Sequence, residues 1–337
     1  MHLDLETLKR IDSSGMYQIY DKWPEIGEEQ YDANLELIED YNPEHIVFAG
    51  MGGSGAIGDL FSSILSKSNV HVDVVKGYLL PKTVDLDSLV VCTSISGNTV
   101  ETLSVLEQAK KIGCKTIAFS DGGKMEQVCN ENNIQFRRIP SFHSPRASFT
   151  SFLYSMLKVL NPVLPIDKSD IMESLVKMKE VQRKICSENL SDENPALKLA
   201  MWLPEFPIIY YPWGLESAAI RFKNSLQENS KMHVIAEDVI EACHNGIVSW
   251  KKSPNIKPIL VRGKEDYSKT QERWNILKEF FNNEDIEYKE VSSLSGSILT
   301  KLINLIYLFD YTTIYKAVLE GIDPTPVIAI NFVKGRL

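Results

Sequence analysis

Two short glycine-rich stretches carry the residue types that could hold a phosphate. Gly50-Met51-Gly52-Gly53-Ser54-Gly55 follows the apolar run Ile46-Val47-Phe48-Ala49 and precedes a helix-period stretch through Ile57, Leu60, Phe61 and Leu65. Ser94-Ile95-Ser96-Gly97-Asn98-Thr99 follows a second apolar run at 89–93 and opens another helical pattern. Glycines let backbone approach an anion, and a helix N-terminus offers free N–H groups at the positive end of its dipole. Hydroxyls at Ser94, Ser96 and Thr99 could therefore surround a phosphate monoester without a cationic side chain. The first stretch also fits the GxGxxG of dinucleotide sites, which want an acidic residue at the end of the next strand. Here Asp73 falls in mid-strand and Lys76 stands at the tip. A tight turn giving close strand–helix packing is the third reading. For the second stretch the structural alternative is a helix cap, Asn98 with Glu101 three residues on. A cap needs one of those side chains, not three hydroxyls around a glycine, so the pair of loops favours a small phosphorylated or sugar ligand.

Such loops need a sheet behind them. β-type runs at 46–49, 71–75, 89–93, 115–119 and 134–139 alternate with helical patterns at about 99–112 and 123–132. An apolar helix is expected over 146–160, stopped by Asn161-Pro162, and a Lys/Glu-rich helix over about 168–190. Alternation then resumes: strand 208–211, helix 215–228, strands 232–236 and 257–262, helix 268–281, strand 286–291 and a long helix 297–319 broken by Gly321 and Pro324. Strands alternating with helices predict parallel sheets covered on both faces. The expected organisation is an N-terminal helical cap (1–40), a first α/β domain (41–162), a bridging helix (163–194), a second α/β domain (195–320) and a C-terminal tail (321–337). The two halves look like diverged copies of one architecture.

Composition limits the function classes. A chain of 337 residues is about two domains' worth, at 44% hydrophobic and 24% charged, too apolar for disorder. Its 45 acidic against 36 basic residues leave a net charge of −9, which argues against nucleic-acid binding. No apolar run approaches the ~20 residues of a membrane span, and the opening MHLDLETLKR is unlike a secretory signal. Five cysteines with no CxxC pair suit free, buried thiols in a reducing cytoplasm. No HxH, HExxH or clustered Cys/His set is present, so neither a metal nor another cofactor is expected.

The second loop, extended as Ser94-Ile95-Ser96-Gly97-Asn98-Thr99-Val100-Glu101-Thr102, resembles the phosphosugar loop of the sugar isomerase (SIS) domain superfamily. More narrowly, Gly50–Gly55, Ser144-Pro145-Arg146-Ala147, Leu226–Lys231, Cys243-His244-Asn245-Gly246, and Asp323-Pro324-Thr325-Pro326 with Lys334 resemble, in order, the bifunctional phosphoglucose/phosphomannose isomerases. The resemblance spans roughly residues 45–337. It departs at Gln227, Ser230 and Ile95, where the family commonly has Asn, Ala and Tyr, and at Glu241-Ala242-Cys243 before the histidine.

What the resemblance implies is two SIS-type, flavodoxin-like αβα sandwich domains and aldose–ketose isomerisation of sugar 6-phosphates through an enediolate. That chemistry needs a base, a ring-opening group, a cation for the oxyanion and a phosphate grip. By resemblance Glu228 is the base, His244 assisted by Lys334 opens the ring, and Arg146 stabilises the enediolate. Gly53, Ser54, Ser94, Ser96 and Thr99 hold the phosphate, and a small Thr325 admits the mannose epimer. Glu228 falls near the negative end of its helix, where a carboxylate is mildly disfavoured as an anion. The family also implies a homodimer in which His244 serves the partner subunit's site, and no cofactor. The alternative is a non-catalytic SIS-domain phosphosugar-binding regulator, which would not need Glu228, His244 and Lys334 together.

Overall fold

The computed structural model describes residues 3–252 and 256–336, with Lys252 described in backbone alone. Residues 1, 2 and 337, at the outer ends of the predicted cap and tail, lie outside the described residues. The chain runs α1 (Leu5–Ile11), α2 (Met16–Asp21), α3 (Trp23–Asp32), β1 (His45–Ala49), α4 (Gly53–Leu65), β2 (His71–Val75), β3 (Leu89–Thr93), α5 (Val100–Ile112), β4 (Lys115–Ser120), α6 (Gly123–Glu131), β5 (Gln135–Arg138) and α7 (Phe149–Val159). It continues through α8 (Lys168–Ile185), α9 (Pro195–Trp202), β6 (Phe206–Tyr211), α10 (Glu216–Asn229), β7 (Ile235–Asp238), α11 (Val239–Ala242), β8 (Ile256–Arg262), α12 (Ser268–Asn283), β9 (Lys289–Ser292), α13 (Ile298–Leu319) and α14 (Ile328–Lys334). Two compact units result, one of Ile19–Ile171 with Ile328–Leu337, the other of Met1–Gln18 with Met172–Val327. The N-terminal and C-terminal segments are each divided between them.

In the unit built on residues 19–171, five strands lie in the order β2-β1-β3-β4-β5, every neighbouring pair parallel. This is the flavodoxin-like order. Strand residues alternate between faces. Val47, Ala49, Val90, Cys92 and Ala118 pack with Val105 and Leu106 of α5 and Met125 and Cys129 of α6. Phe48 points the other way and stacks on Phe61 of α4, ring centroids 4.8 Å apart. None of the five cysteines is in a disulfide; burial pushes the thiol of Cys92 far up and that of Cys129 up to about 12, which disfavours the reactive thiolate.

The other unit repeats the order with one strand fewer, β7-β6-β8-β9, again parallel throughout. Ile208, Tyr210 and Leu260 pack with Trp274, Leu277 and Phe281 of α12. Against α10 lies α13, buried along nearly its whole length. Between the two helices Arg221 and Asp310 form an ion pair at 2.5 Å, 3% and 0% exposed, and the Ser225 hydroxyl donates to the second carboxylate oxygen at 2.8 Å. Among the described residues, no helix is long and apolar enough to cross a membrane.

The predicted helix at 146–160 begins at Phe149 instead, leaving Arg146 in the turn before it. The strands expected at 232–236 and 286–291 form at 235–238 and 289–292, where they meet the register of β6 and β8. Breaking the buried pair tests the α10–α13 packing. Arg221→Met should lower stability to urea by about 3–5 kcal/mol by stranding Asp310, whereas Arg221→Met with Asp310→Leu should recover most of the loss.

Candidate active site

Both glycine-rich loops leave the carboxyl ends of strands in one sheet, β1 and β3, where open α/β sheets place ligands. One hydrogen bond joins them, the Ile95 N–H donating to Ser54 Oγ at 3.3 Å, and within the second loop Ser94 Oγ donates to Thr99 Oγ1 at 2.9 Å. Ser54 and Ser94 are buried and Ser96 is exposed. Asn98 does not cap its own helix. Its Oδ1 accepts the Lys124 N–H at 3.1 Å, and Gly97 O accepts that of Met125 at 2.9 Å, so this loop satisfies the first turn of α6. No side chain caps α4, whose N-cap is Gly52, or α5, whose N-cap is Thr99. α1, α9, α11 and α13 carry side-chain caps from Asp4, Asn194, Asp238 and Ser297, whereas α3, α6, α7, α10 and α12, like α4 and α5, do not. What distinguishes α4 and α5 is that they open at the two candidate loops, where an uncapped N-terminus can meet an anion.

Gly97 has φ +67°, and a Cβ there would lie 1.7 Å from the Gly122 carbonyl oxygen. A Cβ on Gly53 would meet the Pro145 carbonyl oxygen at 3.1 Å, so the first loop packs against the turn carrying Arg146. That turn is held by the N-terminal helices. Trp23 Nε1 donates to the Ala147 carbonyl at 2.8 Å, the Tyr20 hydroxyl donates to the Arg146 carbonyl at 3.4 Å, and the two rings stack at 4.3 Å. Arg146 itself is buried, 5% exposed. Gly53, Ser54, Ser94, Ser96, Thr99 and Arg146 therefore gather at one end of the first sheet. Beside them runs a cleft of about 240 Å³ lined by Ile95, Ser96, Asp121, His143 and Pro145 among others. Lys76, at the tip of β2, pairs with Asp59 of α4 at 2.5 Å. Burial raises the Asp59 carboxyl, opposed by the charge and hydrogen bond of Lys76. The place of a ribose-binding acid is thereby taken by a lysine already engaged.

In the other unit, Glu228 is the penultimate residue of α10 and is partly buried. Lys231, at φ +57°, donates from Nζ to the Glu228 carbonyl, to the Pro326 carbonyl at 2.8 Å and to the Pro324 carbonyl at 3.5 Å. It thereby holds the Asp323–Pro326 turn to the end of α10, and the Thr325 N–H donates to Asp323 Oδ1 at 2.9 Å within that turn. His244 is exposed on the turn after α11. Asp238 caps that helix, and beyond the turn Trp250 donates from Nε1 to the Tyr210 hydroxyl at 3.1 Å, fixing both flanks of His244. Lys334 ends α14, exposed, in the unit of the first sheet.

Known proteins share this pattern. A model of the SIS domain matches residues 41–161, and one of the bacterial phospho-glucose isomerase C-terminal SIS domain matches 192–337. A bifunctional phosphoglucose/phosphomannose isomerase of Caldicellulosiruptor bescii is 32% identical over 336 residues, covering 96% of this chain and 98% of that one. The chain belongs to the bifunctional phosphoglucose/phosphomannose isomerase family. Another protein of that name, from Aquifex aeolicus, is 31% identical over 309 residues, 90% of this chain and 93% of its own. In fold, the isomerase is similar to a hypothetical protein from Thermus thermophilus, with a TM-score of 0.73 at 15% identity, covering 98% of this chain and 93% of that chain.

Sequence reasoning missed three parts of this isomerase. Lys231 was quoted only as the end of a motif; its left-handed backbone and triple carbonyl contact depend on the fold of the tail. Tyr20 and Trp23 lie in the segment read only as a helical cap, and their grip on the Arg146 turn spans more than a hundred residues. His45, His71 and Asp73 form the one cluster of metal-ligand type among the described residues, at the opposite ends of β1 and β2 from the loops. Gly97→Ala should abolish folding of the first unit or lower its melting temperature by well over 5 °C, because neither the φ nor the Gly122 backbone can accommodate a Cβ. Gly77→Ala, whose Cβ would meet nothing within 4 Å, should leave the melting temperature within about 1 °C.

Proposed function

We propose that this isomerase interconverts glucose-6-phosphate and mannose-6-phosphate with fructose-6-phosphate through a shared enediolate. The observation that carries the reading is the pair of loops at the carboxyl ends of β1 and β3, joined by the Ile95–Ser54 hydrogen bond, hydroxyl-bearing and opening α4 and α5 without side-chain caps. On a chain of net charge −9, those N–H groups and hydroxyls supply the local attraction a sugar phosphate requires. Gly53, Ser54, Ser94, Ser96 and Thr99 grip the phosphate. His244, with Lys334, moves the proton between the ring oxygen and O1, a task suited to imidazole near neutral pH. Glu228 takes the proton from C2 of the open aldose and returns it to C1. Arg146 faces the charge that develops on the enediolate oxygens, a contribution of the order of 10²–10³ in rate at comparable sites.

Both epimers share the enediolate and differ only in the face of C2 that is reprotonated. Thr325 leaves room for rotation about C2–C3 before that step. Its turn, tethered by Lys231 to the end of the helix bearing Glu228, supports a role close to the base. The protein acts as a homodimer in which His244 serves the partner subunit's site, a role supported by its exposure on a fixed turn. Its place is the cytoplasm, in keeping with five free thiols.

Chelator-treated protein incubated with fructose-6-phosphate should yield both glucose-6-phosphate and mannose-6-phosphate by proton NMR. Binding without turnover at stoichiometric enzyme would make it a phosphosugar-binding regulator instead. Thr325→Gln should cut mannose-6-phosphate formation at least about tenfold more than glucose-6-phosphate formation, as expected of a pocket contact worth over 1 kcal/mol. Equal losses for the two epimers would remove Thr325 from that role.

A further inference from the structure

The amino ends of the first two strands carry a feature that isomerisation does not use. His45 opens β1 and His71 opens β2, and the parallel register pairs them directly. Asp73, two residues along β2, returns to the same face. One carboxylate oxygen, Asp73 Oδ2, lies 3.0 Å from His45 Nε2 and 3.4 Å from His71 Nε2. All three candidate ligand atoms fall within 4.8 Å of one another. Tetrahedral zinc, with bonds of about 2.0–2.1 Å to imidazole nitrogen and carboxylate oxygen, sets its ligands about 3.3 Å apart. Two of the three separations are already there. The third closes by swinging His71, the most exposed of the three at 63% of its side chain.

Hydrogen bonding behind His45 offers its far nitrogen a partner. The Ser88 hydroxyl donates to Asp85 Oδ1 at 2.8 Å and lies 3.4 Å from His45 Nδ1. Its oxygen can accept from Nδ1, the tautomer that directs the Nε2 lone pair at the Asp73 carboxylate 3.0 Å away. One cation between them would satisfy both groups. The nearby lone pair of His71 on the same oxygen favours the metal, because one ion satisfies all three atoms at once. A histidine whose far nitrogen is held by a hydroxyl–carboxylate relay is also how ligating imidazoles are oriented. Two imidazoles and one carboxylate suit Zn²⁺, with a solvent-facing position left for water.

We propose that His45, His71 and Asp73 bind one Zn²⁺ per chain at the amino end of the first sheet, tying the edge strand β2 to β1. The site is remote in the sheet from the loops after β1 and β3, and its role is structural. An edge strand is the part of a sheet most prone to fray or to pair with another chain, and a metal bridge to its neighbour counters both.

Tag-free protein, stripped with chelator and dialysed, should bind one equivalent of ZnCl₂ in competition with a chromophoric zinc indicator. His71→Ala and Asp73→Asn should each weaken that binding at least 100-fold, and Ser88→Ala about tenfold through the orientation of His45. Zinc should raise the melting temperature of the unmodified protein by at least about 3 °C and that of Asp73→Asn by none. Zinc affinity unchanged in both ligand variants, or no binding at 100-fold excess over protein, would overturn the site and leave an ordinary His45–Asp73 hydrogen bond. These readouts are independent of sugar-phosphate turnover.

Discussion

The carboxyl end of the first sheet depends on one close approach of backbone to backbone. Gly97, in a left-handed conformation, brings its loop so near the Gly122 carbonyl that no side chain could intervene. From that approach follow the contacts of Gly97 O and Asn98 Oδ1 with the first turn of α6. The N-cap of α5 is Thr99, whose side chain makes no cap hydrogen bond, and α4 likewise starts after Gly52 without one. An acidic protein thereby presents backbone N–H groups and hydroxyls at one end of this sheet, the place proposed for the phosphate, with Arg146 buried in the adjacent turn.

The second sheet's unit fixes the end of the helix that carries Glu228, the proposed base. Its anchor is the buried pair of Arg221 and Asp310, which fixes α10 on α13 two turns before Glu228. Ser225 and Asn229, each hydrogen-bonded to α13, extend that hold to the end of the helix. Ser230 continues it by donating to the Thr313 carbonyl at 2.8 Å, which gives the departure from alanine at this position a packing role. Lys231 then joins the helix end to the Thr325 turn. A general base must keep its position within a fraction of an ångström, and this succession of buried contacts is what rigidity at that point requires.

Much of this was legible in the sequence because it is local. The apolar runs, their alternation with helical periods and the glycine loops at their ends identified both sheets, and the motif residues of the first sheet do converge on one region. What was illegible is long-range. The start of α7 moved from 146 to 149 because Trp23 and Tyr20 take carbonyls of the preceding turn. The capping pair of Asn98 and Glu101, set aside in the sequence for the hydroxyls around it, does not form, but that α6 claims the asparagine could be read only from the fold. The division of the N-terminal and C-terminal segments between the two units leaves no mark in composition. His45 and His71 are far apart in sequence, and only the β1–β2 register sets them side by side.

Glu228 as the group that moves the carbon-bound proton is the central claim, and hydrogen exchange with solvent reads it directly. Fructose-6-phosphate incubated in deuterium oxide with the unmodified enzyme should acquire deuterium at C1, followed by proton NMR. With Glu228→Gln that exchange should fall by a factor of about 10²–10⁴ while sugar-phosphate affinity stays within a few-fold. Exchange at close to the unmodified rate in the variant would contradict the account and assign the base elsewhere.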